Sequence, residues 1–174
     1  LMLTLYAATI PSYLQILSSL SGLIDKAESF CRKNNLSPNL LIEARLTDDM
    51  HPFAYQVKST AVHSIGAIDG VKAGVFSPDT TTPPSSLGEM RIRVEEARSA
   101  LEQITVEEME SFIGRNMRFE VGERRLEFRA EEFLLSFSQP NFYFHATTAY
   151  DILRVQGVAV GKRDFLGPLR LKSA

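Results

Sequence analysis

The chain of 174 residues has no tryptophan, one cysteine and three histidines. One thiol cannot close an internal disulfide, so Cys31, which falls inside a helical pattern, is expected in the core and a reducing cytoplasm is the simplest location. Three imidazoles and one thiol leave little material for a zinc centre, which ordinarily takes three or four such donors. Neither sign of charge dominates: 19 basic against 21 acidic side chains give −2, too balanced to specify a nucleic-acid or membrane partner. No stretch reads as the roughly 20 apolar residues of a membrane span. Leu1 to Ile10 is apolar but has neither a basic leader nor a small-residue cleavage site, so it does not read as a secretion signal. Gly-x-Ser-x-Gly, the phosphate-binding Gly-x-x-x-x-Gly-Lys, His-Glu-x-x-His and Cys-x-x-Cys are all missing from the sequence, which removes the commonest hydrolase, nucleotide and zinc signatures. What is present is globular: 44% hydrophobic and 23% charged residues, enough chain to bury about 70% of its unfolded surface as one domain.

The periodicity is helical. Leu14, Leu17, Leu20, Ile24, Ala27 and Cys31 recur at steps of three and four, which predicts a helix from Pro11 to Asn34 with Pro11 in its first turn. A second helix is expected after Asp48 and Asp49 as caps, with Phe53, Val57, Ala61, Ile65 and Ile68 inward. Residues 74–88, rich in Pro, Thr and Ser, read as a long crossover loop. Ser86 and Glu89 form a capping-box pattern ahead of the clearest stripe, Leu87, Met90, Val94, Ala97, Leu101 and Ile104. Thr105 and Glu108 repeat the pattern before a short helix. The period then changes to two across 117–128, predicting a β-hairpin with one apolar face. From Ala130 to Gln156 the stripe is Leu134, Phe137, Asn141, His145, Thr148 and Ile152, with a kink expected at Pro140, which frees the carbonyl of Ser136. Four long helices and one crossover imply an all-α four-helix bundle with a hairpin before the last helix, in a single domain spanning 1–174 whose tail covers 157–174. That tail carries five basic residues against Asp164, and Phe165 and Leu166 are expected to pack on the bundle or on a second subunit.

Two polar residues fall on the inward stripe of the last helix. Asn141 and His145 are four apart, so they share a face, and buried they need partners. His63 shares a face of the second helix with Gln56 and Thr60. Gln56 and His63 are about 10.5 Å apart along the axis, so at most one of them is expected to belong with His145. His51 reads as a surface or capping residue.

The run PNFYFHATTAYDILR from Pro140 to Arg154, with GVAVGKRDFLG from Gly157 to Gly167, resembles the C-terminal signature of a bacterial family of unknown function in the DinB/YfiT-like superfamily of metalloenzymes. LTLYAATIPSYLQILSSLSGLIDKA near the start and ARLTDDMHPFAYQV match the same family. The resemblance implies a DinB-like bundle whose long crossover joins the second and third helices. Metal-bearing members use one histidine on the second helix and a His-x-x-x-His pair on the fourth. Those positions fall here on Gln56, Asn141 and His145, so one imidazole survives, and amide oxygens hold zinc or nickel more weakly. Two readings follow. In one, Gln56, Asn141 and His145 weakly hold a divalent metal (Zn, Ni or Mn), with Thr60, His63 and Thr148 as further pocket positions, in a metal-dependent transferase or hydrolase. In the other, the same residues form a neutral network in a metal-free small-ligand-binding or structural homodimer. No further carboxylate or imidazole is expected on the second-helix face near Gln56.

Overall fold

The computed structural model describes residues 3–172. Helix α1 (Leu5–Asn34) starts earlier than its apolar stripe predicts, because Thr4 is extended and its side chain accepts the Ala7 N–H at 3.0 Å. Pro11 therefore lies inside the helix rather than in its first turn. Asn35, with φ 54°, ends the helix in the left-handed region and bonds back to Arg32 and Cys31. Leu17, Leu20, Ile24, Ala27 and Cys31 are buried as expected, together with Ile10 and Tyr13, while Leu14 is half-buried. Contrary to the expectation that no stretch qualifies, α1 is long and apolar enough by composition to cross a membrane; half of its most apolar stretch is buried inside the protein.

A single turn, α2 (Asn39–Ile42), leads to α3 (Phe53–Ala61). Asp48 and Asp49 do not cap α3: both are exposed, Pro52 occupies the cap position, and the Phe53 N–H goes to the Ala44 carbonyl at 2.8 Å. The helix widens into a π-helical turn at Val62–Gly66 and continues as α4 (Ala67–Ala73). Gly74, with φ 76°, reverses the chain. The next two residues are not loop, as the composition of 74–88 suggests, but strand β1 (Val75–Phe76), which runs parallel to β2. The hairpin is thus extended to a three-stranded sheet of order β1-β2-β3, since an unpaired strand edge accepts any extended segment that reaches it.

Helix α5 (Leu87–Leu101) buries its whole predicted stripe, and Ser86 accepts the Glu89 N–H at 3.1 Å. The Glu89 carboxylate reaches Ser85 instead of the cap residue. Thr105 caps α6 (Val106–Glu110) in the same way. Strands β2 (Asn116–Val121) and β3 (Arg124–Arg129) pair with Met117 opposite Phe128 and Phe119 opposite Leu126 across a two-residue turn in which Gly122 takes φ 55°. Met117 is buried, whereas Val121 and Leu126 near the tip remain exposed.

The last long helical run is α7 (Ala130–Glu132), a π-helical stretch at Phe133–Ser138 and α8 (Gln139–Val155). Where a kink at Pro140 is expected, the structure has this widened turn immediately before it, so Pro140 falls in the first turn of α8, where a missing N–H costs little. Helices α1, α5, α3 and α8 pack in sequence around one core, with α1 also against α8. Helix α9 (Lys162–Leu166) lies on α1, held by the Gln15 side chain donating to the Leu166 carbonyl at 2.8 Å, with Phe165 against Tyr150. Phe165 and Leu166 thus lie on the helices of their own chain.

Candidate functional site

The site lies where α3 and its π-helical turn face α8. Gln56 is buried on α3, and its Nε2 donates to the His51 carbonyl at 2.9 Å. A carbonyl can only accept, so this bond fixes the amide with Oε1 toward His145, where it accepts from Nδ1 at 2.7 Å. His145 therefore carries its proton on Nδ1, and its Nε2 keeps a lone pair. The same reasoning applies to His63. The hydroxyl of buried Ser138 spends its one proton on the His63 carbonyl at 3.1 Å, so its oxygen accepts from His63 Nδ1 at 3.1 Å. Each imidazole is held through Nδ1, and its Nε2 has no hydrogen-bond partner among the described residues.

The two rings lie side by side, with centroids 5.7 Å apart and planes 14° from parallel. Burial lowers the pKa of each to about 4; His145 adds to the effect on His63, and His51 to that on His145. Both rings are neutral at pH 7. The expectation that at most one of Gln56 and His63 belongs with His145 is corrected here. Gln56 meets a nitrogen of the ring and His63 lies alongside it, so one imidazole engages two residues that no single ion would bridge. His63, expected as a further pocket position, is the second imidazole beside His145.

The remaining sequence-predicted positions behave differently. Asn141 donates Nδ2 to the Phe137 carbonyl at 2.7 Å, one turn back on its own helical run, and its Oδ1 has no hydrogen-bond partner among the described residues. Thr60 and Thr148 donate their hydroxyls to the carbonyls of Gln56 and Phe144, also one turn back, so neither is available to a ligand as a donor. His51 is exposed and stacks on Tyr55 at 3.8 Å between centroids. Its backbone, rather than its ring, serves the site.

His63, Asn141 and His145 line a cavity of about 210 Å³ whose other walls include Tyr55, Ser59, Phe119 and Phe137. Phe76 from β1 closes it next to His63, 5.5 Å away between centroids. Phe137 lies on the inward stripe expected for Asn141 and His145, and Phe119 on the apolar face expected for the hairpin, whereas Tyr55 and Phe76 carry no signal in the sequence. Asp79, also on the cavity wall, is equally absent from the sequence reading. It belongs to a buried latch. Lys58, whose side chain is only 3% exposed, meets the Asp79 carboxylate at 3.2 Å and donates to the carbonyls of Asp79 and Thr81. Burial works against the charged Asp79 carboxylate, but hydrogen bonds from Thr81 and Lys58 outweigh it and hold the pKa below the usual range. A larger cavity of about 530 Å³ adjoins this one between α4 and α5, sharing Val62, Phe76 and Asp79, but contains neither imidazole.

A metal of the kind the DinB-like resemblance implies does not fit this donor set. Gln56 Oε1 is already the acceptor for His145, leaving one imidazole nitrogen and one neutral amide oxygen from the three inherited positions. Among the described residues no three His, Cys, Asp or Glu side chains are grouped to hold an ion. Zinc and nickel sites rest on more imidazole or thiolate than this.

Fold and site together define a DinB-like helical protein. A DinB family member protein from Shewanella denitrificans, known from a crystal structure at 1.83 Å, is similar over 98% of this chain and 96% of its own, with 26% identity and a TM-score of 0.81. The model of a domain-of-unknown-function family, DUF1993, matches residues 5–166, and the chain belongs to that family. No curated protein matches it.

Proposed function

We propose that this protein is a metal-free small-molecule-binding member of its family, built on a four-helix bundle of α1, α3, α5 and α8 with the ligand held between α3 and α8. One observation carries the reading: Gln56 Oε1 and His145 Nδ1, which the resemblance would direct at an ion, are bonded to each other at 2.7 Å. The second-helix position thus orients the surviving histidine, much as the outer partner of a metal-bound imidazole does, but with no set of inner ligands to serve. The cavity that remains is concave, mostly aromatic and carries a few convergent polar atoms, the usual character of an organic-ligand site. A neutral imidazole with a free nitrogen is also a competent proton acceptor for a bound ligand.

The test is metal content by elemental mass spectrometry after dialysis against equimolar zinc, nickel and manganese. The expected result is no stoichiometric retention and a melting temperature indifferent to chelator. Stoichiometric retention that disappears in His145→Ala would overturn the reading and restore a metal-dependent transferase or hydrolase.

A further inference from the structure

The imidazole and amide atoms left free in the cavity share one character, while the hydroxyls of Ser59 and Tyr55, also on its wall, can donate or accept. His63 Nε2 and His145 Nε2 are acceptors, because each ring has spent its proton on Ser138 or Gln56. Asn141 Oδ1 is a third acceptor beside them. The one carboxylate on the wall is already occupied. Asp79 accepts from the Thr81 N–H at 2.8 Å, from the Thr81 hydroxyl at 2.6 Å and from Lys58 through one oxygen, and from Arg93 at 3.2 Å through the other. Three fixed acceptors beside two hydroxyls that can turn either way favour a ligand that brings a hydrogen-bond donor of its own.

Charge restricts the ligand further. The only charged residue on the wall is Asp79, and its carboxylate is already paired with Lys58 and Arg93 from outside the cavity. With no unpaired anion to meet it, an ammonium or amidinium ligand is disfavoured, despite aromatic walls that would otherwise attract one. Shape points the same way. Phe119 and Phe137 lie 5.0 Å apart between centroids and Phe76 and Phe119 6.3 Å, walls suited to an aromatic ring. A cavity of about 150 Å³ accommodates benzene, so about 210 Å³ holds such a ring with one or two oxygens attached.

Resting on the metal-free reading above, we propose that the cavity takes a small neutral aryl alcohol of the size of phenol or catechol, its ring among Phe76, Phe119 and Phe137 and its hydroxyl donating to the free Nε2 of His63 or His145. A neutral O–H donor matches the acceptors without adding a cation. A methyl ether of the same ring fills the same space but brings no donor, which isolates the hydrogen bond from the burial of the ring.

The experiment is calorimetric titration of the full chain at pH 7.5 with phenol, catechol, anisole and benzamidine, followed in parallel by the imidazole ¹⁵N resonances. Phenol and catechol are expected to bind at least tenfold more tightly than anisole or benzamidine and to shift the Nε2 resonance of His63 or His145. In His63→Phe, which keeps a ring at the wall, the preference for phenol over anisole should shrink, and in His145→Gln, which replaces the other acceptor, it should shrink as well. Phenol no tighter than anisole would overturn the aryl-alcohol assignment while leaving a metal-free pocket in place. Benzamidine as the tightest probe would overturn the charge argument and the assignment with it. Absence of binding by all four probes, with no resonance moving, would overturn the assignment too; stoichiometric metal in the same preparation would identify the metal-free reading as the point of failure.

Discussion

Replacing Gln56 by Glu changes one group at the centre of the site and almost no volume. In the native protein the amide accepts from His145 and donates to the His51 carbonyl. Glutamate would keep the first contact and lose the second, while placing a carboxylate 2.7 Å from the imidazole nitrogen, if the side chain holds the position of the amide it replaces. An opposite charge at that range favours the charged form by about 1–3 pKa units. The His145 pKa, lowered to about 4 by burial and by His51, should therefore rise to roughly 5–7. The His63 pKa should stay low or fall further, since a charged neighbour opposes its protonation. Loss of the bond to the His51 carbonyl, with two oxygens left facing each other, should cost about 1–3 kcal/mol at neutral pH. With only three histidines in the chain, a ¹H–¹³C titration of the imidazole Cε1 resonances resolves each ring. A His145 in Gln56→Glu that still titrates near 4 would refute the contact on which the site is built.

Because both buried rings titrate near 4 in the folded protein and near 6.5 when unfolded, the unfolded chain takes up protons that the folded one refuses as pH falls below about 6.5. Stability should therefore drop by about 2 kcal/mol per ring by pH 5 and level off below about 4; urea unfolding that is flat between pH 7 and 5, or unaffected by His63→Phe, contradicts this. At the Lys58–Asp79 latch, Asp79→Asn leaves a buried ammonium facing only carbonyls and should cost about 2–3 kcal/mol, somewhat below a fully buried pair. Lys58→Met, which keeps the stem and leaves Asp79 to Thr81 and Arg93, should cost less, and the reverse order in denaturant midpoints refutes the role of the carboxylate. Gln56→His combined with Asn141→His supplies the imidazoles that the inherited metal positions lack, so the double variant should retain stoichiometric zinc; failure to do so would mean that these positions do not converge.

The helices were legible wherever burial follows a single period. The α5 stripe from Leu87 to Leu101, and the caps Ser86 and Thr105, needed only spacing and local side-chain chemistry. Pro11 suggests a first turn, but Thr4 supplies a side-chain cap upstream, so α1 begins earlier than the stripe indicates. Strand β1 was hidden because Val75 and Phe76 have no alternation of their own and become a strand only by finding the edge of β2. Within the site, His145 and Asn141 stand out as polar residues on an apolar stripe, and Gln56, on one face with His63 and Thr60, gains its place opposite His145 from the family resemblance. Axial spacing allows only one of Gln56 and His63 beside His145, because it treats side chains as points on a helix and neglects the breadth of an imidazole. Asp79 and Phe76 lie in or beside a loop-like composition, where neither periodicity nor motif indicates what they face.

On the metal-free reading proposed above, the imidazoles belong to a hydrogen-bond network, each held through Nδ1–H with Nε2 open to a ligand, rather than to a metal-ligand set. A long-range ¹H–¹⁵N spectrum of the untreated protein at pH 7 reads that state directly. Both His63 and His145 are expected to be neutral, protonated at Nδ1 and unprotonated at Nε2, and unchanged on adding equimolar zinc. A His145 protonated at Nε2, charged at pH 7, or shifted at Nε2 by zinc in slow exchange would contradict that reading.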